Sequence, residues 1–304
     1  MTSRKNRLIV ALLGPLVLAG CKSIAVNAAA DAVSASGETY ARDDDPELVK
    51  GAVPFGLKTM EGLLEETPEH DGLLRALASG FTQYGYAFVL QDADVAELEG
   101  RGAEARAGRD RARKLFLRAR GYGLRGLERK YPGISVQLLA ARDLQGPLAR
   151  VKKDDVALLY WTGAAWALAI STGKSDMELV ASLPAPVAMM RRGLELDEAF
   201  DAGAFHEFFV TYDGGRSEAE GGGPRRAREH LERAQALSQG QKLGPLVSYA
   251  ESVLVQGQDR AEFERTLRQV LAFDVDSAPK FRLANVLAQR RARALLGHAD
   301  DLFA

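Results

Sequence analysis

The chain is poor in several residue types, and each shortage excludes a class of protein. One cysteine in 304 residues excludes an intrachain disulfide. Isoleucine occurs only four times, and the apolar residues are mostly leucine and alanine. Because leucine and alanine favour helices while β-branched residues favour strands, this composition predicts an all-α fold. The net charge of −1 gives no electrostatic basis for binding nucleic acid.

The single cysteine closes a short apolar run at the start of the chain. Arg4, Lys5 and Arg7 precede the apolar residues 8–18, and the run ends in Leu18-Ala19-Gly20-Cys21. A basic segment, an apolar core and small residues at a cleavage point are typical of a secretory signal. The run is much shorter than the roughly 20 residues that span a bilayer. Its last four residues resemble the lipobox of bacterial lipoproteins, which predicts lipidation at Cys21.

The sequence therefore divides into three parts. We expect residues 1–20 to be a lipoprotein signal peptide and residues 21–44 to be a lipidated N-terminus and tether. Residues 45–304 are expected to form one helical repeat domain, with a Gly-rich loop at 213–224. The first 20 residues hold three basic and no acidic groups, so their removal changes the net charge from −1 to −4.

The residue after the cysteine bears on location. Lys22 occupies the position where lipoproteins retained at the inner membrane commonly have aspartate. This resemblance to known sorting signals predicts the periplasmic side of the outer membrane. Two or more acyl chains on Cys21 would hold the protein there stably.

The first part of the domain has the pattern of a helical hairpin. Asp45-Pro46-Glu47 predicts a helix start, with Asp as N-cap, Pro in the first turn and Glu near the positive end of the helix dipole. Apolar residues at helical spacing continue to Thr67-Pro68, where the proline predicts the end of the helix. A second helix is predicted from about Asp71.

The helical pattern continues through the middle of the chain. Residues 92–132 predict either a pair of helices or one long helix. Asp154 or Asp155 is expected to cap the next helix, which runs through Ile170. That helix is apolar nearly all round, so we expect it to be buried.

A weak repeat follows from the spacing of the later helix ends. Apolar phrases near Leu196, Leu237 and Phe273 end successive helices at intervals close to the roughly 34-residue period of tetratricopeptide repeats. We therefore predict an array of divergent tetratricopeptide-like helical hairpins, whose stacking gives a continuous concave or enclosed surface.

Three short motifs resemble known functional motifs, but each lies in or beside a segment that is predicted to be helical. Residues 121–126 have the spacing of a dinucleotide fingerprint, although a charged helical segment precedes them instead of a strand, so these glycines are expected to pack helices. Thr172-Gly173-Lys174-Ser175 resembles the end of a phosphate loop whose first glycine is missing. His206-Glu207 lacks the second histidine of a zinc protease helix. We predict no catalytic residues, metal or cofactor.

Aromatic residues crowd two of the apolar helices. The simplest interpretation is that these residues pack in the core. The alternative is that they form the wall of an apolar pocket or channel in which Tyr and Trp supply polar groups. On that alternative the predicted ligand-binding residues, with one histidine and one asparagine added, are Tyr84, Tyr160, Trp161, Trp166, His206 and Asn285.

With these residues in view, most of the chain resembles the T-component of TRAP transporters, a family of tetratricopeptide-repeat periplasmic lipoproteins. The phrases that carry the resemblance follow the lipobox in order, at residues 44–49, 54–58, 79–84, 159–166, 205–209, 227–234 and 281–285. The resemblance implies an all-helical protein with divergent repeats around a central pore, associating as a homotrimer. It also implies docking of a periplasmic solute-binding protein that feeds a TRAP-type transporter, and a small hydrophobic or organic-acid ligand.

Two other functions stay open at the level of sequence. One is an outer-membrane-anchored scaffold that binds envelope proteins or peptides in the groove of the array. The other is a hydrolase, which would need a buried His206 beside a nucleophile.

Replacing the cysteine tests the anchor. In Cys21→Ser the protein is expected to leave the membrane fraction and to lack acyl chains, because serine cannot form the thioether to lipid. Fractionation and intact mass spectrometry of the full chain measure both effects, with Ser23→Ala as the neighbouring control. Membrane retention of acylated Cys21→Ser protein would contradict the prediction.

Overall fold

The computed structural model describes residues 27–34 and 37–303. In these ranges 81% of the residues are helical and none lies in a strand, which confirms the all-α prediction. The predicted signal peptide, Cys21 and the first part of the tether lie outside the described residues. The described chain opens with α1 (residues 27–34) and α2 (Gly37–Ala41).

The first half of the domain is built from long helices joined by short turns. Its elements are α3 (Pro46–Glu66), α4 (Asp71–Tyr84), a π-helical segment (Gly85–Leu90), α5 (Gln91–Leu98), α6 (Gly102–Lys130), α7 (Ile134–Ala140), α8 (Gln145–Ala149), a 3₁₀ turn (Lys153–Asp155) and α9 (Val156–Thr172). Residues 92–132 therefore form a pair of helices, one short and one of 29 residues.

The second half continues with shorter helices. These are α10 (Met177–Ala181), α11 (Pro184–Leu196), α12 (Ala204–Gly214), α13 (Pro224–Ser238), α14 (Gly244–Tyr249), a second π-helical segment (Ala250–Leu254), α15 (Arg260–Ala272), α16 (Arg282–Gly297) and α17 (Ala299–Leu302). Short 3₁₀ turns lie at Phe200–Ala202, Glu218–Glu220, Val275–Ser277 and Pro279–Phe281. The helices form consecutive hairpins, while the tetratricopeptide-like detail of the repeat stays a prediction.

Local chemistry explains where the first hairpin begins and turns. The Asp45 carboxylate accepts hydrogen bonds from the backbone N–H groups of Glu47 and Leu48, both at 3.0 Å, as predicted from the sequence. α3 ends before Thr67-Pro68, and His70 caps α4 by accepting from the N–H of Leu73 at 3.1 Å. The capping role of His70 was not evident in the sequence, because histidine is an uncommon N-cap.

α6 and α9 pack most closely at glycines of the apparent dinucleotide fingerprint. A Cβ on Gly123 would lie 2.1 Å from Thr162 Oγ1, and a Cβ on Gly126 would lie 2.9 Å from a methyl of Leu158. Both glycines are inside a helix, so the prediction that they pack helices is confirmed. The close approach buries α9, whose Trp166 is fully enclosed.

Three groups of buried side chains hold the helices together. The largest joins α3, α4, α6 and α9 around residues such as Leu77 and Phe116. A second lies among α13 to α17 around Phe263 and Leu267. Between them, Val156, Met190, Phe205 and Phe209 connect α9 to α11 and α12.

The last long helix returns to the first hairpin. Arg290 on α16 pairs with Glu47 at 2.9 Å and approaches Asp92 at 3.5 Å. Arg282 donates to the carbonyl of Arg42 at 3.2 Å, and Leu287 joins the largest core. The array therefore closes on itself, because α16 near its end contacts α2 and α3 at its start. Within the described residues, no helix combines the length and apolarity needed to cross a membrane.

Adding a methyl group at the α6–α9 contact tests its contribution to stability. Gly123→Ala is expected to lower the free energy of unfolding by about 1–3 kcal/mol, because the Cβ overlaps Thr162. Gly121→Ala, on the same helix with open space around it, is the control and should be neutral or stabilising by up to about 1 kcal/mol. Denaturant titration measures both, and equal effects would contradict the assigned contact.

Candidate functional site

From the surroundings of Tyr86 we infer a water-accessible recess between helices of the two halves of the chain. Its side chain is 45% exposed, yet burial raises the pKa of its phenol, and the charges of Glu251 and Glu207 raise it further. Water reaches the ring while protein surrounds it, a combination found in an internal recess and not on a convex surface. Tyr86 lies in the first π-helical segment, whereas Glu207 and Glu251 come from the second half of the chain.

A largely buried lysine forms one charged group at this recess. Lys242, whose side chain is 12% exposed, places Nζ 3.3 Å from Asp201 Oδ2 and 3.3 Å from Glu207 Oε2. Burial by itself would lower the pKa of Lys242, but the two carboxylates raise it above its ordinary value. Glu207 also lies against Gly244, where a Cβ would come within 2.4 Å of its Oε1. A larger residue at that position would displace the carboxylate.

An arginine forms the second charged group. Arg291 on α16 donates from Nε to Glu251 Oε1 at 2.9 Å, and its Nη2 makes a further short contact with the same oxygen and lies 3.9 Å from Asp94. Burial by itself would lower the pKa of Arg291, whereas Glu251 and Asp94 raise it, with a net increase. The cation therefore stays charged.

Aromatic rings form the remaining side of the recess. Tyr160 on α9 packs within 4.9–5.3 Å of Trp161, Phe200 and Phe205, measured between ring centroids. Burial raises the pKa of Tyr160 well above its ordinary value, and the nearby charges of Glu207 and Asp201 add to the effect. The recess thus offers rings, phenol hydroxyls and both signs of charge, which together can hold the apolar body and the polar end of a small solute.

Both π-helical segments contribute to this recess, Tyr86 from the first and Glu251 from the second. A π segment contains an extra residue per turn, and such segments are frequent at functional sites. The extra residue changes which side chains face inward. Tyr84, two residues before Tyr86, is buried in the core beside Phe88.

The structure distributes five of the six predicted ligand-binding residues over three environments, and His206 lies in a fourth. Tyr160 and Trp161 lie together at the recess. Tyr84 and Trp166 are core residues, and the Trp166 indole donates to Ser182 Oγ at 2.8 Å. Asn285 accepts from the N–H of Leu243 at 3.1 Å and donates to the carbonyl of Gln241 at 2.8 Å. It therefore positions the segment that carries Lys242.

Sequence reasoning missed the charged residues at the recess, namely Asp201, Glu207, Lys242, Glu251 and Arg291, whereas Tyr86 is one of the crowded aromatic residues for which a pocket wall was the alternative interpretation. The five charged residues come from five separate segments, and no spacing rule relates them. One local signal existed. Gly85-Tyr86 interrupts the helical spacing of apolar residues after Phe81, which is where the π segment begins.

His206 belongs to a hydrogen-bonded chain beside the recess. Its Nε2 lies 3.1 Å from Glu198 Oε1, and its Nδ1 lies 2.8 Å from Nδ1 of His230. Arg233 donates to both Glu198 oxygens at 2.7 Å, and with His206 it holds the pKa of Glu198 at about 2. Because Glu198 is ionised, His206 Nε2 donates to it, and His206 Nδ1 accepts from His230.

The two imidazoles are held in their neutral form. Burial lowers the pKa of His206, although Glu198 opposes this, and burial together with the repulsion that a protonated His206 would exert lowers the pKa of His230 to about 4. Asp213 lies 3.6 Å from His230 Nε2. Among the described residues, no group of three or more His, Cys, Asp or Glu side chains is arranged to hold a metal ion.

The histidine pair predicts a stability loss in mild acid. The pKa of His230 is about 6.5 in the unfolded chain and about 4 in the folded one, so the unfolded state binds more protons between these pH values. The contribution of His230 to stability is therefore fully present above pH 6.5 and is lost as the pH falls towards 4. The free energy of unfolding decreases by at most about 1.4 kcal/mol per pH unit from this group.

In His230→Gln this pH slope should be smaller, because the depressed pKa is removed. In the control His298→Gln, at the end of α16, the slope should be unchanged. Denaturant unfolding of each variant from pH 7 to pH 4 measures the slopes, and an identical slope in His230→Gln would contradict the assignment.

Comparison with known proteins agrees with the resemblance found in the sequence. The family model described as TRAP transporter T-component matches residues 42–303. An uncharacterized protein of Treponema pallidum (strain Nichols) is 30% identical over 266 residues, covering 87% of this chain and 82% of the relative. The match spans the described domain nearly from end to end. The chain therefore belongs to the TRAP transporter T-component family, which associates it with a transporter of the cell envelope.

Proposed function

We propose that this protein is a lipid-anchored periplasmic subunit that docks the solute-binding protein of a TRAP-type transporter and lets a small solute enter its recess. The observation that supports this most directly is the partly exposed Tyr86, which in a T-component chain lies near charged residues from the second half, and from which we infer the recess. Transfer between two proteins needs such an interior, because a solute must be shielded from bulk solvent yet able to leave.

The composition of the recess supports a solute with both apolar and polar parts. The rings of Tyr160 and Trp161 offer apolar contact, and phenol hydroxyls and carboxylates offer polar contact. Lys242 and Arg291 are each already paired with two carboxylates, so the recess supports the hydrophobic part of the ligand expected from the resemblance more than its acidic part. Asn285 contributes indirectly, because its hydrogen bonds orient the segment that carries Lys242.

The anchor and the assembly complete the proposal. Lipid on Cys21 would hold the domain, whose largest core includes Ala30 of the predicted tether, at the periplasmic face of the outer membrane. By resemblance to the family we expect a homotrimer, so that three recesses would be presented together. The mass of the purified full chain in detergent, measured by light scattering, tests this number.

Direct binding to the solute-binding protein tests the function. The purified full-length lipoprotein is expected to form a complex with the TRAP-type solute-binding protein of the same organism, measured by calorimetry and light scattering. A solute-binding protein from an ATP-driven importer of that organism is the control and should not bind. Absence of a complex in the presence and absence of solute would contradict the proposal, and specific binding of an envelope-assembly protein instead would favour the scaffold function.

A further inference from the structure

A surface cleft of about 310 Å³ lies between α3 and α6, on the outside of the first hairpin. Lys58 and Glu61 line it from α3, and Arg118, Tyr122 and Arg125 line it from α6. With Glu65 included, the lining has three cations and two carboxylates. The cleft is thus locally positive on a chain whose net charge is −1.

A buried carboxylate organises the cleft. Glu61 is 6% exposed, and its oxygens accept from Lys58 Nζ at 2.7 Å and from the Tyr122 hydroxyl at 2.5 Å, while Arg118 Nε lies at 2.5 Å. Burial by itself would raise the pKa of Glu61, but these partners lower it below its ordinary value. An ionised, buried carboxylate fixes the orientation of the arginine that neutralises it.

Aromatic rings fix the planes of both arginines. Phe81 and Tyr122 stack with centroids 6.0 Å apart and an interplanar angle of 13°. The guanidinium of Arg118 lies 5.1 Å from the centre of the Phe81 ring, and that of Arg125 lies 5.8 Å from the centre of the Tyr122 ring. Two guanidinium groups are therefore held in set orientations in one cleft, which is favourable for binding carboxylates.

Neither arginine has all of its hydrogen-bond donors engaged within the protein. The Arg118 side chain is 46% exposed although its Nε approaches Glu61. Arg125 donates to the carbonyl of Pro68 at 3.1 Å, and in the part of the chain that the structure describes it has no carboxylate in an ion pair. Donor groups of both side chains remain for an external acceptor.

An exposed apolar strip borders the cleft on α3. Phe55 is 79% exposed and Leu48 is 61% exposed, two turns apart on the same face, with the small residues Gly51 and Ala52 between them. Lys58 is one turn after Phe55, so the strip and the cleft adjoin. An aromatic side chain beside oriented arginines is the composition of energetically important regions in protein interfaces.

We propose that this α3–α6 surface docks an acidic segment of the solute-binding protein, whose carboxylates bind Arg118 and Arg125 while Phe55 enters an apolar hollow of that partner. The inference rests on the proposed function, since it names the docking surface for the same partner. Charge complementarity favours an acidic protein segment, and the protruding Phe55 favours a macromolecule, because a small acid in the cleft would leave that ring in water.

The test compares charge-matched variants for binding to the solute-binding protein. Arg118→Gln/Arg125→Gln is expected to weaken the complex about tenfold or more and to reduce its dependence on salt. Arg265→Gln/Arg268→Gln, two exposed arginines of α15, removes the same charge elsewhere and should change the dissociation constant less than about twofold. Calorimetry at two salt concentrations measures both.

Two single variants guard against misfolding. Arg125→Gln leaves the Glu61 network intact and should still weaken binding, and Phe55→Ser changes only an exposed side chain and should weaken it without altering the melting temperature or the mass of the protein alone. If the wild type binds and none of these variants differs from it, the docking surface is wrong while the proposed function stands. If the wild type does not bind, both fail. A lower mass for Phe55→Ser alone would identify α3 as a contact between copies and overturn the inference.

Discussion

The return of α16 to the first hairpin is the constraint on which the remaining architecture depends. A helical array with two free ends has a concave side but no enclosed interior. Here Arg290 and Arg282 reach Glu47 and the backbone at Arg42, and Leu287 enters the largest core. Because the contact joins residues more than 200 positions apart, it brings Arg291 and Tyr86 to one recess. Enclosure, and the mixture of charges inside, follow from this closure.

Much of the fold could be predicted from the sequence, because its determinants are local. The cap at Asp45, the stop at Thr67 and the apolar character of α9 each depend on a few neighbouring residues. The candidate site could not be predicted in the same way. Tyr160 was identified through its apolar helix, but Lys242 lies in a short turn with nothing distinctive around it. Its role follows from long-range packing against Glu207 and Asp201.

The contact between two histidines is another feature that the sequence does not reveal. No spacing rule connects His206 with His230, yet their ring nitrogens are 2.8 Å apart, and Glu198 sets the direction of the hydrogen bond between them. The pair lies on α12 and α13, and the residue after His206 on α12 is Glu207, one of the charged residues of the recess. Polar groups are therefore concentrated in three places, the recess, the histidine pair and the α3–α6 cleft, and the first two share α12.

Because of the two π-helical segments, the lining of the recess depends on how many residues the helices contain as well as on which residues they are. An α-helix turns about 100° per residue, so one additional residue rotates every later side chain by that angle about the axis. Tyr86 lies in one such segment, Gly85–Leu90, and Glu251 lies in the other, Ala250–Leu254. A helix of equal composition but one residue shorter would keep its hydrogen bonds and its apolar content while presenting a different lining. In this fold, insertions and deletions within helices are therefore a route to new solute preferences that substitutions alone do not offer.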